Sequence, residues 1–162
     1  MNEITFRLPT VDDWPAILTL AELSLSELPN AHSQQEWLKN RKSFTPSDGI
    51  QQHFVATSGE RIVGYAGAER RNEFAEGGYR LFVVVAPYAR ATLGTMLLAK
   101  LRECLFSLGA RRAWFQEDEA QKQFISYLEE HGFVQIERFR LDDGTWIIRL
   151  AMDAPFPIIG LA

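Results

Sequence analysis

The chain has 162 residues, 46% hydrophobic and 23% charged, which suits one globular domain with one core and excludes a mostly disordered chain. Its formal net charge of −4 and isoelectric point of about 5.4 lack the basic character of a phosphate-backbone binder, so nucleic acid is not an expected partner. The single cysteine, Cys104, cannot form an internal disulfide and no apolar run reaches the length of a membrane span, so a reducing cytoplasm is the expected compartment and no membrane association is expected.

Ile4, Phe6 and Leu8 alternate with polar residues and predict a strand over residues 3–8, ended by Pro9. Thr10 followed by Asp12 and Asp13 reads as a helix start, a cap with two acids at the positive end of the dipole. Ile17, Leu20, Ala21 and Leu25 then share one helical face until Pro29-Asn30 breaks the pattern. Ser33-Gln34-Gln35-Glu36 is a capping box for a second helix carrying Trp37 and Leu38. A short strand over 53–57, the turn Ser58-Gly59-Glu60-Arg61 and a return strand over 62–70 make a hairpin. After a second turn over 73–78, residues 79–85 predict a strand whose stretch Leu81-Phe82-Val83-Val84-Val85 has no polar interruption, as a strand buried on both faces requires.

Leu93, Met96, Leu97, Leu101, Cys104, Leu105 and Leu108 recur at spacings of three and four and predict the longest helix, over about 89–108, closed by Gly109. Cys104 lies on its apolar face and reads as a small core residue rather than a reactive thiol. Residues 112–116 predict a strand, 121–131 a helix ended by Gly132, and 134–141 with 145–152 a hairpin around Asp142-Asp143-Gly144. The order βααβββαβαββ predicts one α/β domain over residues 1–152, a mixed, mostly antiparallel sheet of six or seven strands with helices on both faces. Residues 153–162, with Pro155 and Pro157, read as a loose tail.

The segment richest in chemistry is Val83-Val84-Val85-Ala86-Pro87-Tyr88-Ala89-Arg90-Ala91-Thr92-Leu93-Gly94-Thr95, a buried strand running through a short loop into a helix. The first turn of a helix has free N–H groups and the positive end of the dipole, which makes it a natural seat for a pyrophosphate. Ala91 and Gly94 let a ligand approach the backbone, and Arg90, Thr92 and Thr95 add side-chain donors.

This segment, together with Phe124-Ile125-Ser126-Tyr127-Leu128-Glu129-Glu130-His131-Gly132-Phe133 and the element order, resembles the GCN5-related N-acetyltransferase (GNAT) family over residues 3–152. The resemblance implies that the strand over 79–85 splays from the next strand at a bulge, that its backbone at Val83, Val84 and Val85 faces the pantetheine arm of acetyl-CoA, and that Arg90, Ala91, Thr92, Leu93, Gly94 and Thr95 cradle the pyrophosphate. N–H groups near Val84 and Val85 would polarise the thioester carbonyl. Three positions depart from the family pattern. The phosphate loop is poor in glycine. Leu128 stands where the family often has a tyrosine that protonates the leaving thiolate, leaving the adjacent Tyr127 as a candidate acid about 100° away around the helix. The strand has no glutamate near Leu81, which leaves Glu69, with Glu73 and Glu76, as acids flanking the acceptor side, each expected as a solvated surface charge and Glu69 as the candidate base. No spacing suggests a metal site.

The expected activity is N-acyl transfer, most simply N-acetyl, from acetyl-CoA to a small amine or a peptide amine by direct attack in a ternary complex, with the acceptor meeting the loop over 25–32 and a homodimer as one expected assembly. A non-catalytic acyl-CoA-binding or protein-interaction module of the same fold is the alternative. One half of a tandem acyltransferase is a third reading.

Overall fold

A computed structural model describes residues 3–26, 50–71, 78–86 and 89–156, and these build seven strands and three α-helices. Strand β1 (Ile4–Arg7) leads through a 3-10 turn at Val11–Asp13 into α1 (Trp14–Ser26). Strands β2 (Ile50–Ser58), β3 (Arg61–Arg70) and β4 (Gly78–Val85) follow, each antiparallel to the one before. Helix α2 (Arg90–Leu108) crosses over to β5 (Arg112–Asp118). Helix α3 (Lys122–Glu130) precedes the hairpin of β6 (Val134–Arg140) and β7 (Trp146–Asp153). The helix expected from Ser33 onward and the turn over 73–77 lie outside the described residues.

The sheet order is β1-β2-β3-β4-β5-β7-β6, antiparallel at every step except β4–β5. That one parallel step follows from the helical crossover, since a tight turn cannot join parallel strands. Strand β2 begins before residue 53 because it pairs with β3 as far as Glu69, and β5 runs on to Asp118 because β7 pairs along its whole length.

Antiparallel partners share a face, so Gly64, Ala66 and Ala68 of β3 lie beside Val85, Val83 and Leu81 of β4. Helix α2 covers this face closely: a Cβ on Gly64 would stand 3.0 Å from Leu93 Cδ2 and 3.2 Å from Leu97 Cδ1. On the same face Phe124 of α3 and Phe133 just beyond it pack edge-on against Phe115 of β5, with centroids 5.6 and 5.3 Å away. Thus α2 lies over β3 and β4 while α3 lies over β5. The opposite face carries Tyr65 and Phe82, rings 5.3 Å apart, with the buried Ile17 of α1. Gly67 makes room there, since a Cβ would fall 2.5 Å from the Phe82 ring and 2.8 Å from the Gln52 carbonyl oxygen.

Both ends of the described chain are tied down. Arg7 binds the Asp13 carboxylate at 2.7 and 2.9 Å, and the Thr10 N–H donates to it at 2.7 Å, which holds Asp13 well below the usual carboxylate range. Residues 153–156 are not the loose tail that their prolines suggested. Asp153 pairs with Arg112 at 2.6 Å, the Ala154 N–H donates to the Arg111 carbonyl at 2.9 Å, and Phe156 is buried in the core. Burial of one aromatic side chain outweighs the disorder that prolines otherwise favour. Among the described residues no helix is long and apolar enough to cross a membrane.

Candidate functional site

Strands β4 and β5 pair at three positions, Gly78↔Arg112, Tyr79↔Ala113 and Arg80↔Trp114, and then part. Beyond Arg80, β4 continues against β3 alone, while β5 continues against β7 through Asp118. A cleft therefore opens in the middle of the sheet, roofed on one face by α2 over one wall and α3 over the other. The expected bulge is not in the β3–β4 register, which runs in step from Arg70↔Tyr79 to Gly64↔Val85. Strands that share only three pairs diverge through their own twist.

The same register fixes which backbone groups line the cleft. The Arg71 N–H donates to the Gly78 carbonyl and the Ala86 N–H to the Val63 carbonyl, both at 2.9 Å, so Gly78, Arg80, Phe82, Val84 and Ala86 turn their N–H and C=O toward β3. Leu81, Val83 and Val85 turn theirs the other way; the Arg80↔Trp114 pair still occupies the Leu81 N–H, and Val83 and Val85 face the space that β5 has left. This corrects the expectation for Val84, whose backbone pairs with Tyr65 and whose side chain is buried. Val83 and Val85 carry the groups available to a bound arm.

Helix α2 starts just past the end of β4. Its N-cap is Ala89, which offers no side-chain cap, and its first turn holds no acid. The first-turn N–H groups thus lack the partner that a serine or aspartate cap supplies. Within the expected phosphate loop, Leu93 points into the core, 1% exposed, and offers only its backbone. Gly94 faces α3, where a Cβ would have the Tyr127 hydroxyl 4.0 Å away. Thr95 is exposed, and its hydroxyl accepts from that of Tyr127 at 3.3 Å. The side chains of Arg90, Ala91 and Thr92 lie outside the described residues, although their backbone is helical. A strand edge of free peptide groups leading to an uncapped helix start fits an elongated cofactor that ends in phosphates.

On α3, Leu128 is fully buried and cannot reach the cleft, while Tyr127 faces α2. The His131 ring lies 4.3 Å from the Tyr127 ring, and its Nδ1 donates to the Tyr127 carbonyl at 2.8 Å. The Arg102 guanidinium, buried on α2, donates to the His131 carbonyl at the end of α3, and burial pulls its pKa below the usual arginine value. Sequence reasoning missed this link, because its partners are 29 residues apart. Cys104 is half-buried and burial pushes its thiol pKa up, in keeping with a packing role.

Glu69 of β3 stands level with the closed end of the cleft, across β4 from β5. It sits opposite Arg80, the last residue at which β4 still pairs with β5. It is not the solvated charge its sequence suggested: its side chain is 4% exposed and pairs with Arg71 at 2.7 Å. Arg80 extends over the Trp114 ring, 5.6 Å from its centroid. Glu73, Glu76 and the loop over 27–32 lie outside the described residues.

The sequence from residue 14 to 133 matches the model of the acetyltransferase (GNAT) family. The chain belongs to that family. As a member, it is an N-acetyltransferase that takes its acetyl group from acetyl-CoA. Solved structures share the fold. The ribosomal-protein-S18-alanine N-acetyltransferase of Escherichia coli superposes with a TM-score of 0.71 at 19% identity over 99% of both chains. The yncA protein of Salmonella typhimurium, solved with its cofactor acetyl-CoA, gives 0.68 at 16% identity over 94% of both chains. A spermidine N-acetyltransferase chimera of the Vibrio cholerae SpeG and hSSAT gives 0.70 at 16% identity, over 94% of this chain and 96% of that one. No curated protein matches the sequence.

Proposed function

We propose that this GNAT acetyltransferase acetylates the amine of a small molecule or of a peptide by direct attack in a ternary complex. When bound, acetyl-CoA supplies an activated thioester whose sulfur is the leaving group. The observation that carries the reading is the outward-facing backbone of Val83 and Val85 along a cleft that leads to the start of α2. Those N–H groups hold and polarise a carbonyl from one side. The first turn of α2, with Arg90, Thr92 and Thr95, holds the phosphates. Glu69, beside the point where the strands part, receives the amine proton through water, and its ion pair with Arg71 fixes where the carboxylate stands. Positioning two reactants in one cleft supplies much of the rate.

An amine acceptor is supported by the named activities of the structural neighbours, which include an alanine of a ribosomal protein and spermidine. The net charge of −4 adds a weak attraction for cationic amines. The test is release of free CoA thiol from acetyl-CoA against a panel of polyamines, amino acids, peptides with free N-termini, alcohols and nucleotides. Turnover with at least one amine is expected, and Glu69→Gln should lower kcat by about 10²-fold or more with that amine. Turnover confined to alcohols or nucleotides would refute the reading.

A further inference from the structure

We propose that Tyr127 is a ligand of the cofactor's pyrophosphate rather than the acid that protonates the leaving thiolate. This rests on the reading of the cleft as the CoA site. Tyr127 and Leu128 project about 100° apart on α3. Leu128 takes the direction into the core, and Tyr127 reaches sideways to α2. Because α2 lies over β4 and α3 over β5, the contact between Tyr127 and Thr95 spans the roof of the cleft.

Its place along the cleft decides the role. Thr95 stands five residues after Arg90, about 7.5 Å along the helix axis at 1.5 Å per residue. Helical side chains lean toward the N-terminus, so the Thr95 hydroxyl and the Tyr127 hydroxyl above it lie over the turn whose free N–H groups receive phosphate. The acid for a thiolate belongs instead near Val83, farther down the cleft from the start of α2 than Val85. Gly94, with no side chain, leaves the space beside the tyrosine hydroxyl open.

The hydroxyl is also built to exchange partners. Its 3.3 Å contact with Thr95 is long for an O–H···O bond, for which 2.5–3.0 Å is usual. A phosphate oxygen is charged, accepts a shorter and stronger bond, and competes well for the same donor. The ring itself is held in place. His131 stacks on it, and Arg102 fixes the end of α3 that carries both. A tyrosine hydroxyl here compensates for a phosphate loop that has one glycine, Gly94, between residues 90 and 95.

Calorimetric titration of the wild type and Tyr127→Phe with CoA, dephospho-CoA and S-acetylpantetheine tests this, alongside kcat and its pH profile. Tyr127→Phe should weaken CoA about 10-fold, the loss expected for one hydrogen bond to a charged group. Dephospho-CoA should lose the same factor, S-acetylpantetheine should bind as in the wild type, and kcat at saturating acetyl-CoA with its pH profile should be unchanged. A loss confined to CoA and absent with dephospho-CoA would move the contact to the 3′-phosphate and overturn the pyrophosphate assignment. Unchanged CoA affinity with a large fall in kcat and a lost alkaline limb would make Tyr127 the acid and overturn the proposal. Equal weakening of all three ligands would mark a purely structural role and overturn it as well. A wild type that binds no CoA would sink the reading of the cleft itself, and this assignment with it.

Discussion

Gly94→Ala should make the protein more stable and its cofactor site worse. The residue lies in the interior of α2, where glycine is less favourable than alanine by about 0.5–1 kcal/mol. The added methyl would stand 4.0 Å from the Tyr127 hydroxyl, an ordinary contact, so nothing in the free protein opposes it. For a chain of this size each kcal/mol shifts Tm by about 2–4 °C, so the variant should melt about 1–4 °C higher. The methyl nevertheless narrows the space between α2 and Tyr127 through which phosphate approaches the helix start. Loss of one charge-assisted hydrogen bond, about 1.5–3 kcal/mol, is a tenfold or larger loss of CoA affinity. Thermal unfolding of the free protein and calorimetric titration with CoA read the two effects separately. A variant that melts higher and binds CoA as well as the wild type would show that phosphate does not use the space over Gly94. A lower melting point would contradict the packing around the helix.

Three other perturbations bear on other parts of the account. Arg90→Ala should weaken CoA binding about 10-fold, as expected for a charge-assisted hydrogen bond, and leave Tm unchanged; undiminished affinity by calorimetry would remove Arg90 from the site. Gly67→Ala should lower stability by about 1–3 kcal/mol in a denaturant titration, because its Cβ meets the Phe82 ring at 2.5 Å and a carbonyl oxygen at 2.8 Å. Asp13→Asn should destabilise the protein at neutral pH by at most about 1 kcal/mol, and the difference from wild type should shrink as pH falls below about 4. Asp13 has a lowered folded-state pKa, so the unfolded chain takes up the proton first and the contribution is present above the unfolded value and lost as pH falls. A difference that stays constant between pH 7 and pH 3 would contradict the Arg7–Asp13 pairing.

Much of this architecture is legible in particular residues. The uninterrupted Leu81-Phe82-Val83-Val84-Val85 marks β4 as a strand covered on both faces, and the Leu93-to-Leu108 periodicity with Gly109 gives α2 to within a residue. What the sequence hid depends on partners distant along the chain. Glu69 looks like a charge at a strand end, and only the β3–β4 register, with Arg80 across from it, shows it buried where the strands part. Which valine faces the cleft is likewise a matter of register: a one-residue slip would exchange Val84 for its neighbours. The 100° step from Leu128 to Tyr127 could be read locally, but its target, Thr95, lies 32 residues away. Phe156 hid behind the disordering signal of its flanking prolines.

Backbone amide exchange, read residue by residue along β4 by NMR with and without CoA, tests the cleft most directly. In the free protein the amides of Phe82 and Val84, bonded to β3, should exchange slowly, and those of Val83 and Val85 should exchange fast. CoA should slow Val83 or Val85, together with first-turn amides of α2, and leave Phe82 and Val84 as they were. Saturating CoA that protects none of Val83, Val85 and the α2 first turn would contradict the assignment of the β4–β5 cleft as the cofactor site.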